Sequence, residues 1–373
     1  MNTRLYLDYN STSPLAESVI DLFSSGDLSF ANPASVHTSG KTAKKLVRDT
    51  TTYLKNLFKL KDHDVLYHSG ATEALNTFFN ISSEDLFVFS SADHPAASFL
   101  AKNHKSRGGE VVELNVSAHG EFDYESLKEI INNSHKSIYL NFTWVNNETG
   151  IVNDLKKIAS FKSEKLFIHV DAVQSPGKIK NWEKLNESID FISFSGHKFG
   201  ALKGVGFSFV TKDFPLKPII HGGGQQSSMR AGTENTIGAY TLQLAFRELI
   251  EKVNIDHNAI LRSKIIDLFK SKIKENGIVI TSNLEIASNT IGFIFKNIKS
   301  DLCLIQFDIG GIDVSYGSAC SSGNQTETQS LKALGLSEFE DKFIRLSFGF
   351  EDYKNEDVIL EKLSEVFFRL AKI

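Results

Sequence analysis

The chain has little of what marks several large protein classes. Its 373 residues include only two cysteines, Cys303 and Cys320, which excludes a disulfide scaffold. Six prolines are too few for long proline-rich linkers. No stretch approaches the ~18 uncharged apolar residues of a membrane span, and the first residues have no apolar segment typical of a signal peptide. We therefore expect a cytoplasmic protein without a membrane anchor.

The balance of charged and apolar residues excludes further classes. Lysine and arginine total 41 and the acids 45, a formal net charge of −4, so no basic excess favours nucleic acid or an anionic membrane as a partner. A composition of 41% hydrophobic and 23% charged residues is typical of a globular chain. At roughly 150 residues per domain, the length predicts about two domains.

Short apolar runs between helix-like polar stretches predict the main sheet. Such runs lie at residues 65–67, 86–89, 137–140, 166–170 and 191–194. Their content of Val, Ile and Phe favours a parallel α/β sheet. The run at 204–210 follows the last of them so closely that we expect it to be an antiparallel neighbour.

The last third of the chain predicts a smaller α+β domain. Leu261, Ile265, Leu268 and Ile273 indicate a helix that ends near Gly277, and apolar residues alternate over 291–295 as in a strand. Apolar residues at helical spacing over 359–370 predict a C-terminal helix. We expect a large domain over residues 15–250 and a small domain formed by residues 1–14 and 251–373.

Three polar features follow predicted strands. Residues 69–73 (Ser-Gly-Ala-Thr-Glu) precede a helical stretch and form either an anion site at a helix N-terminus or an ordinary helix cap. Asp171 ends one strand, where it is either a ligand-binding acid or a helix N-cap. Lys198 follows the next strand, 27 residues later, which we interpret as one strand–helix–strand step. Phosphate turn, acid and imine-forming lysine together suggest pyridoxal phosphate.

The two cysteines lie in different surroundings. Cys320 stands among small residues in 317–323, followed by a polar run, and we expect an exposed, reactive thiol. Cys303 lies in the apolar run 302–305, and we expect it in the core. The eleven histidines are scattered, without C-x-x-C or H-E-x-x-H, so no metal site is predicted.

These motifs together resemble those of the cysteine desulfurases, which are pyridoxal phosphate enzymes of fold type I. The matching segments follow the family's order at residues 7–14, 32–37, 69–73, 92–95, 145–150, 169–174, 195–198, 221–233, 317–323 and 344–349. The resemblance implies the aspartate aminotransferase-like α/β fold, with a large, mostly parallel seven-stranded sheet domain and a small α+β domain that carries the Cys320 loop. This loop is similar to the long, mobile type of the subclass that serves iron–sulfur assembly and thiolation.

The resemblance also implies a role for each site residue. Lys198 would form the Schiff base and take the Cα proton, Cys320 would receive the sulfur, and His94 would stack on the cofactor ring and move a proton near the substrate thiol. The other cofactor contacts would be Ala71, Thr72, Asn147, Asp171, Gln174, Ser195, His197 and Thr233. Thr233 would reach the cofactor of the other subunit. Asn147 and Arg345 would bind the substrate, with Arg345 on its carboxylate.

The function implied is that of a cytoplasmic homodimer. It would convert L-cysteine to L-alanine and leave a persulfide on Cys320 for a protein sulfur acceptor. Another fold-type I enzyme, such as a selenocysteine lyase or a class V aminotransferase or lyase, is one alternative, and a non-catalytic sulfur carrier is the other. The chain departs from the family's usual pattern at residues 10–13, at Tyr316 and over 324–331.

Overall fold

The structure is a computed structural model that describes residues 4–316 and 329–373. The strands are β1 Leu5–Tyr6, β2 Asp64–His68, β3 Leu86–Ser90, β4 Glu110–Leu114, β5 Ile138–Thr143, β6 Leu166–Asp171, β7 Phe191–Ser195, β8 Gly206–Val210, β9 Gly277–Val279, β10 Thr290–Phe295, β11 Ile312–Asp313 and β12 Phe343–Ser347. The helices are α1 Glu17–Ser25, α2 Thr38–Phe58, α3 Ala71–Phe78, α4 Pro95–Ser106, α5 Tyr124–Asn133, α6 Leu155–Ala159, α7 Thr236–Lys252, α8 Ile255–Ile273, α9 Ser300–Ile309, α10 Gln329–Ala333 and α11 Glu356–Leu370.

Seven strands form the large sheet, in the order β2-β8-β7-β6-β5-β3-β4. The strand β8 pairs antiparallel with both of its neighbours, and the other pairings are parallel. The five predicted strands and the antiparallel neighbour are therefore confirmed. Strand β4 was not predicted, because it lies at the edge of the sheet and is only partly buried, and such a strand is not a continuous apolar run.

Helices cover both faces of this sheet, because successive strand residues point to opposite sides. Leu86 and Val88 join a core with α2 and α7, whereas Phe87 and Phe89 join a core with α3 and α4. Aromatic rings fill the first core, where Phe58 of α2 contacts several other rings. The result is a three-layer α/β/α arrangement, typical of sheets with parallel crossovers.

A separate core lies against a smaller antiparallel sheet of order β12-β10-β9. It contains Leu7 together with apolar residues of α8, α9 and α11. The short strand β1 pairs in parallel with β11 on this side of the molecule. Cys303 is fully buried in this core, as the sequence predicts. The two cores support a division near residue 250, with the first residues joining the last third, and this division stays a proposal.

The connection between β6 and β7 differs from the expected strand–helix–strand step. The two strands are parallel neighbours, but residues 172–190 form turns without a helix. Turn residues of this connection pack into the large core through Ile179 and Trp182, so it covers the sheet without helical structure. Over residues 4–316 and 329–373, no helix is both long enough and apolar enough to span a membrane.

Candidate active site

A cleft opens at the carboxyl ends of β5, β6 and β7, beside the N-terminus of α3. Ligands of parallel α/β sheets bind at this edge, since the strand ends and the helix N-termini meet there. Ten of the predicted site residues line this cleft: Ala71, Thr72, His94, Asn147, Asp171, Gln174, Ser195, His197, Lys198 and Arg345. Residues more than 250 positions apart in the sequence therefore share one site.

The N-terminus of α3 forms one wall of the cleft. Its cap residue is Gly70, which makes no side-chain cap, so an ordinary side-chain cap is the wrong interpretation. The amides of a first helical turn have no partner within the helix and bind anions. Glu73 holds the preceding turn, because its carboxylate accepts from the Ser69 N–H at 2.8 Å and pairs with Arg230 at 3.0 Å.

Asp171 is the last residue of β6, and no helix follows it, so a helix N-cap is also the wrong interpretation. Its Oδ1 accepts the backbone N–H of Val173 at 3.0 Å. Desolvation raises the pKa of Asp171, while the Val173 N–H and the charge of Lys198 act in the opposite direction. A desolvated carboxylate of this kind favours a cationic partner.

Lys198 lies in a short 3-10 turn, Gly196–Lys198, directly after β7. Its Nζ donates to the backbone oxygens of Asn10 and Ser11, each at 2.7 Å. The neighbouring His197 contacts Thr12, with 3.1 Å between Nδ1 and Oγ1. The segment after β1 therefore forms part of the cleft wall through residues 10–12. Residues 10–13, which depart from the pattern of the resembled family, were not predicted to belong to the site.

His94 is the N-cap residue of α4 and lines the cleft. Its Nδ1 accepts the Ala96 N–H at 3.2 Å, which leaves the proton of a neutral ring on Nε2. Burial, with a smaller contribution from the charge of Lys198, lowers the pKa of His94 to about 4. The ring is therefore neutral near pH 7.

Arg345 comes from β12 of the small sheet and is 1% exposed. Its guanidinium donates to Asp8 Oδ1 and Ser11 Oγ, each at 2.7 Å, and to the Asn147 backbone oxygen at 3.1 Å. Within the described part of the chain, its Nε has no hydrogen-bond partner although it is buried. A buried donor with a fixed orientation is suited to an anionic group in the cleft.

Buried polar side chains cross the sheet beneath the cleft. His68 Nε2 contacts Ser208 Oγ at 2.8 Å, and Ser208 Oγ contacts Ser193 Oγ at 3.0 Å. Ser193 Oγ in turn contacts His169 Nε2 at 2.7 Å. On its other side, His169 Nδ1 contacts Asn141 Oδ1 at 2.6 Å, and Asn141 Nδ2 donates to Asp93 Oδ2 at 2.7 Å. Burial lowers the pKa of His169 to about 3 and raises the pKa of Asp93 to about 6. This hydrogen-bonded network fixes the side chain of Asp93, the residue before His94, and orients the polar floor of the cleft.

One further predicted site residue, Thr233, lies elsewhere. Thr233 is exposed and does not line the cleft of its own chain. Cys320 lies outside the described residues. Lys178, which is buried beside the cleft, was not predicted from the sequence. Its signal was a lysine in a Ser-Pro-Gly-Lys turn, which is a pattern more typical of a solvated loop.

Comparison with known proteins identifies the family. Residues 5–359 match the aminotransferase class-V family. A cysteine desulfurase of Nostoc sp. is 31% identical over 344 residues, which cover 89% of this chain and 84% of that protein. The cysteine desulfurase IscS of Clostridium botulinum is 28% identical over 384 residues, covering 98% of this chain and 95% of the relative. A solved NifS-like protein has a TM-score of 0.84 and 26% identity, with 98% and 99% of the two chains covered.

The chain therefore belongs to the aminotransferase class-V family of pyridoxal phosphate enzymes. Within this family, the resemblance to cysteine desulfurases and the fold type I architecture are confirmed. The polar groups of the cleft fit the cofactor. The α3 N-terminus, which has no side-chain cap, suits a phosphate, Asp171 suits a pyridinium nitrogen, and Lys198 supplies the amine for a Schiff base. Membership of the long-loop subclass stays a prediction.

Proposed function

We propose that this protein is a cysteine desulfurase that transfers the sulfur of L-cysteine to Cys320. The proposal rests on one observation: Lys198, Asp171 and Arg345 line the same cleft. The reaction balances without a further oxidant, since L-cysteine and one thiol give L-alanine and one persulfide. The carbon–sulfur bond of the substrate breaks, its carbon is reduced to a methyl group, and a sulfur–sulfur bond forms on Cys320.

The cofactor is held by groups from several elements. Bound pyridoxal phosphate supplies an electron sink that makes the Cα proton of an amino acid acidic. We assign its phosphate to the amides of Ala71 and Thr72 with Ser195, His197 and, from a second copy of the chain, Thr233. Its ring nitrogen is assigned to Asp171, its phenolic oxygen to Gln174, and its ring to His94 and Asn147. Each of these residues except Thr233 lines the cleft.

Substrate binding rests on Arg345 and Asn147. We assign the substrate carboxylate to the Arg345 guanidinium, whose orientation is set by Asp8 and Ser11. A fork of guanidinium donors matches a carboxylate in geometry and charge. The amine of Lys198 then takes the Cα proton of the bound amino acid.

Sulfur transfer adds His94 and Cys320. The neutral His94 ring holds a proton at Nε2, where it can donate to the substrate sulfur. The thiolate of Cys320 attacks that sulfur and retains it as the persulfide. We propose that a protein acceptor for iron–sulfur assembly or thiolation then receives the sulfur, in the cytoplasm, where thiols stay reduced.

We also propose a homodimer with shared active sites. Thr233 follows the glycine-rich segment 222–224 and is exposed, so its hydroxyl is accessible to a second chain. A phosphate dianion needs more donors than one helix turn supplies, and a two-fold interface can provide them in both directions.

The test of the proposal uses the two cysteines as a matched pair. Purified holoenzyme is mixed with L-cysteine, alanine is quantified, and mass spectrometry locates the transferred sulfur. Cys320→Ser should bind cysteine but carry no persulfide. Cys303→Ser should have nearly the activity of the parent protein, because the Cys303 thiol is buried and burial raises its pKa to about 12. Sulfur found on Cys303, or alanine formation that requires a keto acid, would contradict the proposal.

A further inference from the structure

Lys178 is directed into the protein by a tight turn that follows β6. Its backbone N–H bonds to the Ser175 oxygen at 3.2 Å, and Pro176 and Gly177 occupy the two central positions. Gly177 has φ +70°, the conformation that favours glycine at the third position of a type II turn. A side chain at Gly177 would also collide with Leu249 and Phe350 at 2.6 and 2.8 Å. The turn geometry therefore leaves Lys178 pointing inward.

The Lys178 side chain is almost fully removed from solvent, at 1% exposure. Its Nζ donates to two neutral amide oxygens, Asn10 Oδ1 at 3.0 Å and Gln174 Oε1. Burial lowers the pKa of Lys178 well below its ordinary value, and the charges of Lys198 and Arg345 add to this effect. Since burying an amine costs free energy that an apolar side chain of the same length would not, packing alone does not account for a lysine here.

The contact with Gln174 determines which way that amide faces. A glutamine amide has an acceptor end and a donor end, and its orientation follows from the partners of each. Lys178 Nζ donates to the acceptor end, Gln174 Oε1. This contact requires the amide oxygen to face Lys178 and therefore away from the cleft. The donor end lies toward the cleft, where Gln174 Nε2 donates one hydrogen to the Asn10 backbone oxygen at 2.9 Å. Within residues 4–316 and 329–373, no acceptor is described for the second Nε2 hydrogen, which is therefore available to a ligand.

We infer that Lys178 is a positioning residue that fixes the Gln174 amide with its N–H toward the phenolic oxygen of the cofactor. The inference rests on the proposed function for the assignment of Gln174. A donor at this oxygen favours its anionic form. Without Lys178, the orientation of the amide depends on the contact of its Nε2 with the Asn10 backbone oxygen. Whenever the amide turns over, its oxygen faces the anionic oxygen of the cofactor.

A double-mutant cycle tests this inference without using enzyme activity. Lys178→Met, Gln174→Met and the double variant are loaded with pyridoxal phosphate, and absorbance is recorded against pH with no substrate present. Gln174→Met should raise the pKa of the absorbance change by about 1, the size expected for one lost hydrogen bond to a charged group. Lys178→Met should raise it in the parent background and produce no further rise in the Gln174→Met background.

The possible outcomes separate three explanations. An equal rise in both backgrounds would mean that Lys178 acts through its charge, and no rise in either would mean a merely structural role; both results contradict the inference. If Gln174→Met alone leaves the pKa unchanged, the assignment of Gln174 in the proposed function is wrong. Sulfur transfer to Cys320 by the parent protein is measured separately, so its loss or presence tests the desulfurase proposal independently.

Two further variants control for the loss of a buried lysine in general and for a failure of Lys178→Met to fold. Lys162→Met removes a half-buried lysine that pairs with Asp190 at 2.7 Å near the start of β6, at the other end of the strand from the cleft. It should lower the melting temperature and leave the cofactor pKa unchanged. If Lys178→Met does not fold, Lys178→Gln takes its place in the same cycle, since the criterion is the coupling to Gln174 and not the size of the shift.

Discussion

Arg345→Ala should weaken the binding of L-cysteine far more than that of cysteamine, which lacks the carboxylate. Arg345 is buried, and its guanidinium is held by Asp8 and Ser11, so little ordering is needed when a carboxylate binds. Removing one partner of a desolvated charge pair costs roughly 2–5 kcal/mol. At about 1.4 kcal/mol per tenfold, this corresponds to a loss of about 30- to 4,000-fold in L-cysteine affinity.

The assay separates binding from turnover. In the Cys320→Ser background, sulfur transfer cannot follow, so the change in cofactor absorbance on addition of each ligand reports its dissociation constant. Thermal unfolding is measured in parallel, because Arg345→Ala also leaves Asp8 without its partner. The Asp8 side chain is only 17% exposed, and an uncompensated carboxylate at such a site lowers stability by up to roughly 3–5 kcal/mol.

A matched arginine controls for this loss of stability. Arg262 of α8 is half-buried and donates to the Thr290 backbone oxygen at 2.8 Å, but it does not line the cleft. Arg262→Ala should lower the melting temperature and leave both dissociation constants unchanged. The assignment of Arg345 would be refuted if Arg345→Ala weakened cysteamine as much as L-cysteine, or if it weakened neither.

Three further outcomes are expected. Lys198→Ala should form no alanine yet still bind the cofactor noncovalently, as dialysis and absorbance would show, and turnover at the parent rate would reject its role. Mixing Thr233→Asp with Lys198→Ala and allowing subunit exchange should restore up to about half the activity per heterodimer, since one site then has both Lys198 and an intact Thr233; a mixture that stays inactive would place Thr233 in its own chain's site. The pKa of His94 is lowered to about 4 by burial and by Lys198, so NMR should find its ring neutral at pH 6, where an exposed histidine is mostly charged, and a midpoint near 6.5 would contradict this.

Local signals were sufficient for the sheet wherever a strand is covered on both faces. β3, β5, β6 and β7 are buried over nearly their whole length, and burial on two sides produces the apolar runs that the sequence displays. The edge strand β4 lacks that signal. The missing helix between β6 and β7 could not be inferred, since the 172–190 connection is ordered by packing against the large core and not by helical periodicity.

The site shows the same contrast between local and long-range information. Asp171 and Lys198 could be placed because each directly follows a strand, and strand ends meet in space. His169 and Asn141 have a weaker signal in the sequence, because each is only a single polar residue within a buried strand. The surroundings of Lys178 depend on Asn10, which is 168 residues away in the sequence, and no local pattern encodes that contact.

Asn10 gives a physical meaning to the segment 10–13, in which the sequence departs from the pattern of the family that it resembles. Its side-chain nitrogen donates to the Asn147 oxygen at 3.1 Å and to Thr290 Oγ1 at 2.9 Å, so it joins a loop of the large sheet to a strand of the small one. Its side-chain oxygen accepts from Lys178 at 3.0 Å. A small residue would leave Gln174 as the remaining side-chain acceptor described for Lys178. Because a buried amine needs polar partners, Asn10 and Lys178 stabilise each other, and the departure at position 10 belongs to the organisation of this site.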